Sequence, residues 1–292
     1  MLFLLSPAKS LDFERRGPAG LPLTRPAYVN EAETLIDLLR QRSHAEIAAL
    51  MDLSDALTTL NVDRYQAWRP RHDAHNARPA ILAFDGDVYD GLQARTLSAE
   101  QLAWAQDHVL MLSGLYGVLR PLDRMQPYRL EMGTRLANAR GKDLYAFWGA
   151  AIAEYLNRRQ AGAKDGDTAR VVVNLASEEY FHAVDRKRLK ARVVQCVFEQ
   201  WHKGQYRIIS FPAKRARGMM ARFAIERQAR SPDDLRAFDA DGYRYDGTVS
   251  SYERLVFRRR AEGDGVDGVS HVSGVSGVSG VSGVSGDRSI RA

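Results

Sequence analysis

The 292-residue chain is 45% hydrophobic and 27% charged, carries a formal net charge of +6 and contains one cysteine. That is a globular composition long enough to bury a large core. It excludes an intramolecular disulfide and, with no stretch near the roughly 20 apolar residues of a membrane span, a membrane-crossing helix.

In chain order, Met1 to Leu5 reads as a short buried strand, with Ser6-Pro-Ala-Lys9 at its end. The four residues match Ser-x-x-Lys, a motif of penicillin-recognising enzymes, but the further motifs of those enzymes are missing. What the stretch does place is Lys9 at a strand end. Gly17, Pro18, Gly20, Pro22 and Pro26 predict a loop. Three helices come next, opening at Asn30 with Glu33, at Ser43 with Glu46, and near Ser54, the last ending before Pro70. His72 and His75 stand three apart in a loop-like setting with no third ligand, so no metal is assigned to them. Ala80 to Phe84 reads as a strand. Asp85 to Gly91 reads as a carboxylate-rich turn without the spacing of a calcium loop.

Ser98 and Gln101 have capping-box spacing, and Leu102, Ala105, Val109 and Leu112 continue at helical intervals up to Gly114. Gly114-Leu115-Tyr116-Gly117 then reads as a two-glycine hairpin. Beyond it Arg120, Asp123, Arg124, Arg129 and Glu131 are threaded through Leu, Met, Tyr and two prolines. Charges in so apolar a stretch must pair with one another or face a cleft. A helix is expected from about Leu144 to Arg159. Val171 to Ala176 is a β-branched strand ending in polar residues from Ser177, a favoured place for a site.

Residues 192–200 and 206–211 read as a hairpin around Lys203-Gly204, and Cys196 within it as a buried core thiol. Lys214, Arg215 and Arg217 precede a helix beginning at Met219 and running to about Arg230, with Lys214, Arg217 and Arg222 expected along one accessible side. Leu255 to Phe257 is the last expected strand. Residues 262–292 are net −2, so the other 261 hold +8. Residues 181–230 alone hold thirteen Lys or Arg against three acids. Such a local excess suits a polyanion partner. From Gly263 the chain becomes a tandem Val-Ser-Gly repeat, which cannot bury a core. The order of elements predicts an α+β fold with a mixed sheet flanked by helices, as one domain over residues 1–260 with a disordered tail over 261–292.

Several separated stretches together resemble the bacterial peroxide-stress resistance family YaaA: Ser6-Pro-Ala-Lys9, Gly86-Asp-Val-Tyr89, Met111 to Asp123, Met125 to Gly133, Gly141 to Tyr145, Asn174 to Ser177 and Lys214 to Gly218. The resemblance covers roughly Met1 to Arg260. It implies a cytoplasmic protein that limits free intracellular iron and the DNA damage iron drives. It also implies binding to double-stranded DNA, bent or damaged forms included, through a helix-hairpin-helix element beside a basic cleft. That element is matched to the helix before Gly114, the turn Gly114 to Gly117 and the residues immediately after Gly117, although Gly-Leu-Tyr-Gly departs from the usual hydrophobic-Gly-hydrophobic-Gly spacing.

Two readings result. In the first, the protein binds duplex DNA mainly through phosphates, using Gly114, Leu115, Tyr116, Gly117, Lys214, Arg215, Arg217 and Arg222. In the second, it is an enzyme acting on a nucleotide or on damaged DNA, with Lys9, Asp87, Arg120, Asp123, Arg129 and Glu131 as its polar site. Neither reading calls for a cofactor, a metal or a membrane. Converging side chains in a closed pocket would favour the enzyme, and a long open basic groove would favour binding.

Overall fold

The first strand sits inside the molecule's main sheet, and its apolar run shows why. Leu2, Phe3, Leu4 and Leu5 are all buried, as a strand covered on both faces must be. The computed structural model describes residues 1–15, 17–18, 20–162 and 170–260. The expected tail lies outside the described residues.

The described strands and helices run β1 (Leu2–Leu5), β2 (Ser10–Leu11), α1 (Val29–Arg40), α2 (His44–Met51), α3 (Asp55–Ala67), β3 (Arg78–Pro79), α4 (Ala80–Ala83), β4 (Phe84–Asp85), α5 (Asp87–Leu92), α6 (Ala99–His108), β5 (Val109–Ser113), β6 (Gly117–Leu119), β7 (Arg124–Met125), α7 (Leu144–Trp148), α8 (Ala151–Arg159), β8 (Val171–Leu175), α9 (Glu178–Phe181), β9 (Arg192–His202), β10 (Gln205–Arg207), α10 (Ser210–Arg227), β11 (Arg244–Tyr245) and β12 (Arg254–Arg259). The main sheet is mixed and has eight strands, in the order β11-β12-β9-β8-β1-β5-β6, with β10 paired to β9. Strands β12, β9, β8, β1 and β5 run parallel. Strands β6, β10 and β11 add antiparallel edges. Helix α10 packs on β9, β8 and β1, and α6 on β1 and β5. The predicted α+β fold, a mixed sheet flanked by helices, is the observed one. Among the described residues no helix is long and apolar enough to cross a membrane.

The capping boxes expected at Ser43/Glu46 and Ser98/Gln101 both form. Several boundaries differ, each because tertiary packing overrides a local pattern. The helix from Ser98 ends at His108. Val109 to Leu112 are four consecutive apolar residues, and as a fully buried strand they pair in parallel with β1. Gly114 to Gly117 is therefore the turn of a β-hairpin between β5 and β6, with Gly117 at φ 65°. There is no helix-hairpin-helix element at this position. Helices α2 and α3 are instead the pair joined by a three-residue turn, with Asp52 left-handed at φ 51°.

Ala80 to Ala83 forms a buried helical turn rather than a strand, and the expected turn at 85–91 is mostly α5. The helix over 144–159 is broken at Gly149, which takes φ 45°. Strand β10 stops at Arg207, and the next helix begins at Ser210, nine residues before Met219. Ala213, Ala216, Met220 and Ala224 give that helix a buried face that extends back past the basic cluster.

One helix contact positions the site. Gly91 of α5 and Gly218 of α10 let the two backbones touch. A Cβ on Gly218 would lie 1.7 Å from the Val88 carbonyl oxygen, and one on Gly91 would lie 2.1 Å from that of Arg215. The contact brings the start of α5, with Asp87, against the basic residues early in α10.

Candidate functional site

Strands β1 and β8 are parallel neighbours whose ends coincide, Leu5 opposite Leu175. From β1 the chain continues to β5 on one side, and from β8 to β9 on the other. Such a reversal opens a crevice at the carboxyl ends of the strands. Ser6 and Ser177 close its floor. The Ser177 N–H donates to Ser6 Oγ at 2.8 Å, and the two hydroxyl oxygens stand 3.3 Å apart. The crevice is a cavity of about 370 Å³, with Lys9, Asp87, Glu131, Glu179, Lys214 and Arg217 among its lining residues.

Its charges come from five parts of the chain. Lys9, just past β1, places Nζ 3.1 Å from Glu131 Oε1. Arg129 reaches the same oxygen through Nε at 3.2 Å and Nη2 at 2.9 Å. All three contacts fall on Oε1, and none of them uses Oε2. Asp87, first in α5, has Oδ2 3.8 Å from Lys214 Nζ. Glu179 Oε1 accepts the Gly133 N–H at 3.0 Å. Arg217, one turn along α10 from Lys214, has no hydrogen bond or ion pair among the described residues. Burial lowers its pKa, and Glu178 opposes that shift. Arg217 thus brings to the cavity wall a part-buried guanidinium whose donors make no hydrogen bond to the described residues.

The sequence-predicted candidates therefore divide. Lys9, Asp87 and Glu131 line the pocket together, with Arg129 behind Glu131. Arg120 and Asp123 do not line it. Asp123 is 1% exposed. It accepts the Thr24 hydroxyl at 2.5 Å, the Arg120 N–H at 2.8 Å and the Arg120 guanidinium at 3.3 Å. Burial raises its pKa in spite of these bonds. This pair ties a turn together.

The basic residues of α10 divide as well: at about 100° per residue, Arg215 and Arg222 fall within roughly 20° of each other, and each is about 140° or more around the helix from Arg217. Lys214 and Arg217 are one turn apart and line the pocket. Arg215 and Arg222, two turns apart, lie on another side. Arg215 pairs with Asp241 at 3.2 Å. Arg222 pairs with Glu226 at 2.8 Å and donates to the Leu92 and Gln93 carbonyls and the Thr96 hydroxyl, closing the end of α5. The expectation that Lys214, Arg217 and Arg222 share one side is corrected accordingly. Leu115 and Tyr116 are fully buried, and Gly114 and Gly117 are buried beside them, so this turn offers no surface to DNA.

Ser177 and Glu179 were not singled out as site residues from the sequence. The signal for them was positional, a strand ending in polar residues. Among the described residues no three His, Cys, Asp or Glu side chains are placed to share a metal ion. Cys196 is buried in the core, which pushes its thiol pKa up to about 12 and keeps it protonated.

Comparison with known proteins fits this arrangement to one family. Residues 1–248 match the family model described as "Peroxide stress protein YaaA". A UPF0246 protein of Paracidovorax citrulli is 59% identical over 263 residues, covering 90% of this chain and 100% of that protein. One from Albidiferax ferrireducens is 61% identical over 260 residues, covering 89% and 98%. One from Bordetella pertussis is 60% identical over 261 residues, covering 89% and 99%.

Proposed function

We propose, from the premise that this chain belongs to the peroxide stress protein YaaA family, that it protects DNA under peroxide stress by binding nucleotide phosphates in the pocket between β1 and β8. The observation that carries the reading is the convergence of Lys9, Lys214 and the unpartnered Arg217 in one crevice. Lys9 and Lys214 already face Glu131 and Asp87, and Asp85 and Glu179 also line the crevice, so the cation left to favour a phosphate is Arg217, with the two lysines beside it. This supports handling of nucleic acid over direct capture of iron, and any lowering of free iron is then a consequence rather than a binding event in this pocket.

A second reading adds chemistry at the same place. Glu131 has one oxygen held by Lys9 and Arg129, while its other oxygen takes no part in those contacts. A carboxylate so oriented beside a phosphate site is placed to move a proton on a bound nucleotide. The pocket geometry favours this over a flat groove that only tracks a backbone.

A salt titration of duplex binding tests the proposal. Each neutralised phosphate contributes a log–log slope of about −0.9, so Lys214→Ala with Arg217→Ala should make the slope shallower by about 2. The pair Arg215→Ala with Arg222→Ala should leave it nearly unchanged. Different straight sequences should bind within about tenfold of one another, because phosphate contacts do not read bases. Bent or damaged duplexes should bind tighter, because a nucleotide leaves the stack there at lower cost. Equal slopes for the wild type and the 214/217 variant would remove the pocket from DNA binding.

A further inference from the structure

A second cavity, of about 460 Å³, lies elsewhere and shares no lining residue with the crevice. Arg25, Pro70, Arg71, His72 and Arg124 line it. Three distant parts of the chain meet there. Arg25 follows Thr24, whose backbone bonds to Leu122 and Arg124. Arg71 and His72 lie in the loop after α3. Arg124 begins β7, which pairs with β3. None of these three arginine side chains makes a hydrogen bond or a close ion pair among the described residues, and Arg124 Nε is buried with no partner. The near carboxylates form no ion pair with these arginines, although Asp73 lies close enough to feel the charge of Arg71. Asp73 Oδ1 accepts the backbone N–H groups of His75 and Asn76, at 2.8 and 3.3 Å. Asp123 is taken by Thr24 and Arg120.

His72 is fixed from behind. Its Nε2 lies 3.1 Å from the Tyr116 hydroxyl, whose oxygen accepts the Trp68 indole N–H at 2.9 Å and the Gln126 N–H at 3.2 Å. With two donors already on that oxygen, the single Tyr116 proton goes to His72 Nε2, which leaves the proton of neutral His72 on Nδ1, a buried nitrogen with no partner among the described residues. Burial, then Arg25, holds the His72 pKa down to about 4, and Arg124 adds to the effect. At neutral pH the wall therefore holds three guanidiniums and a neutral imidazole.

We propose that this cavity binds the phosphate monoester group of a nucleotide-sized ligand. Guanidinium forks match phosphate oxygens in pairs. Three of them without bound acids suit a dianionic terminal phosphate better than a singly charged diester. The volume exceeds that of a phosphate ion and falls in the range of small-ligand sites, so the group enters with part of the molecule that carries it. A free mononucleotide and the 5′-phosphorylated end of a DNA strand present the same chemistry.

The test uses the whole protein with ¹³C-labelled histidine, the His72 ring signal being assigned by its loss in His72→Gln. Inorganic phosphate and a nucleoside 5′-monophosphate should shift that signal saturably, while the nucleoside alone and chloride at equal ionic strength should not. Arg25→Gln changes an exposed side chain, so its melting temperature should match wild type while phosphate affinity falls about tenfold. Lys214→Ala, in the other pocket, should leave the His72 shift intact, which separates this site from the one proposed above. Tighter binding of a 5′-phosphorylated oligonucleotide than of the mononucleotide identifies a strand end as the source, and the reverse identifies a free nucleotide. A His72 signal that phosphate does not move, an equal shift by the nucleoside, or unchanged affinity in Arg25→Gln would each overturn the proposal.

Discussion

Arg120–Asp123 and Arg129–Glu131 are two charged pairs a few residues apart on one stretch, and they do opposite things. The first closes on itself. Its members are three apart across a turn held by the Asp123 N–H on the Arg120 carbonyl at 3.1 Å, and the Thr24 hydroxyl completes the shell. The second stays open. Its members are two apart in non-helical chain, and Glu131 reaches onward to Lys9 in the crevice. Residue types are the same in both pairs. What separates the two pairs is where the carboxylate's partners sit: in a buried turn packed against Thr24 for Asp123, and at the wall of a cavity for Glu131.

The largest effect expected from this contrast is Asp123→Ala. It strips a buried turn of its acceptor, leaving the Thr24 hydroxyl proton without an acceptor and the Arg120 guanidinium without its carboxylate, and should cost about 3–5 kcal/mol of unfolding free energy in a denaturant titration. Asp123→Asn should cost clearly less, because burial already raises the Asp123 pKa and so favours an uncharged group there. A loss below about 1 kcal/mol for the alanine variant, the range of an exposed pair, would erase the distinction between the two pairs.

A middle-sized effect is expected where the helices touch. Gly218→Ala drives a Cβ into the Val88 carbonyl, and neither backbone can yield without parting α5 from α10. Overpacking of this kind costs about 1–3 kcal/mol. Because the same contact holds Asp87 against Lys214, phosphate binding in the crevice should weaken along with stability. A variant with wild-type melting and binding would show that the contact does not set the site.

These particulars explain how far the sequence could be read. Leu2 to Leu5 and Val171 to Leu175 were legible as strands because parallel strands buried on both faces are continuously apolar. Lys9 and Ser177 were legible as site-adjacent because both come after such strands. Val109 to Leu112 misled, since an apolar run fits a helix as well as a strand and only the pairing with β1 decides. The error carried into the Gly114–Gly117 turn, which needed β5 before it to be seen as a β-hairpin. Nor could spacing reveal the start of α10, because its early buried positions are alanines among basic residues. Without that start, the angular separation of Arg215 from Lys214 and Arg217 was invisible. Convergence of residues 9, 87, 131 and 214 is a property of the sheet order, which no local pattern contains.

The smallest change in stability, and the one that sharpens the comparison most, is expected from Glu131→Gln. Glu131 is one-quarter exposed, its partner Lys9 is 64% exposed and Arg129 15%, and the glutamine amide oxygen can still accept from both cations, so the unfolding free energy should change by about 1 kcal/mol or less. The substitution keeps the shape of the side chain and removes its charge. Lys9 and Arg129 are then released from a competing anion, so phosphate affinity in the crevice should hold or rise. Proton transfer, by contrast, needs the carboxylate. If Glu131 moves a proton on a bound nucleotide, cells carrying Glu131→Gln should lose peroxide resistance while the purified protein still binds and melts normally. Retained resistance would leave the pocket as a binding site alone. A variant that fails to fold would place Glu131 with Asp123, as a charge that serves the structure.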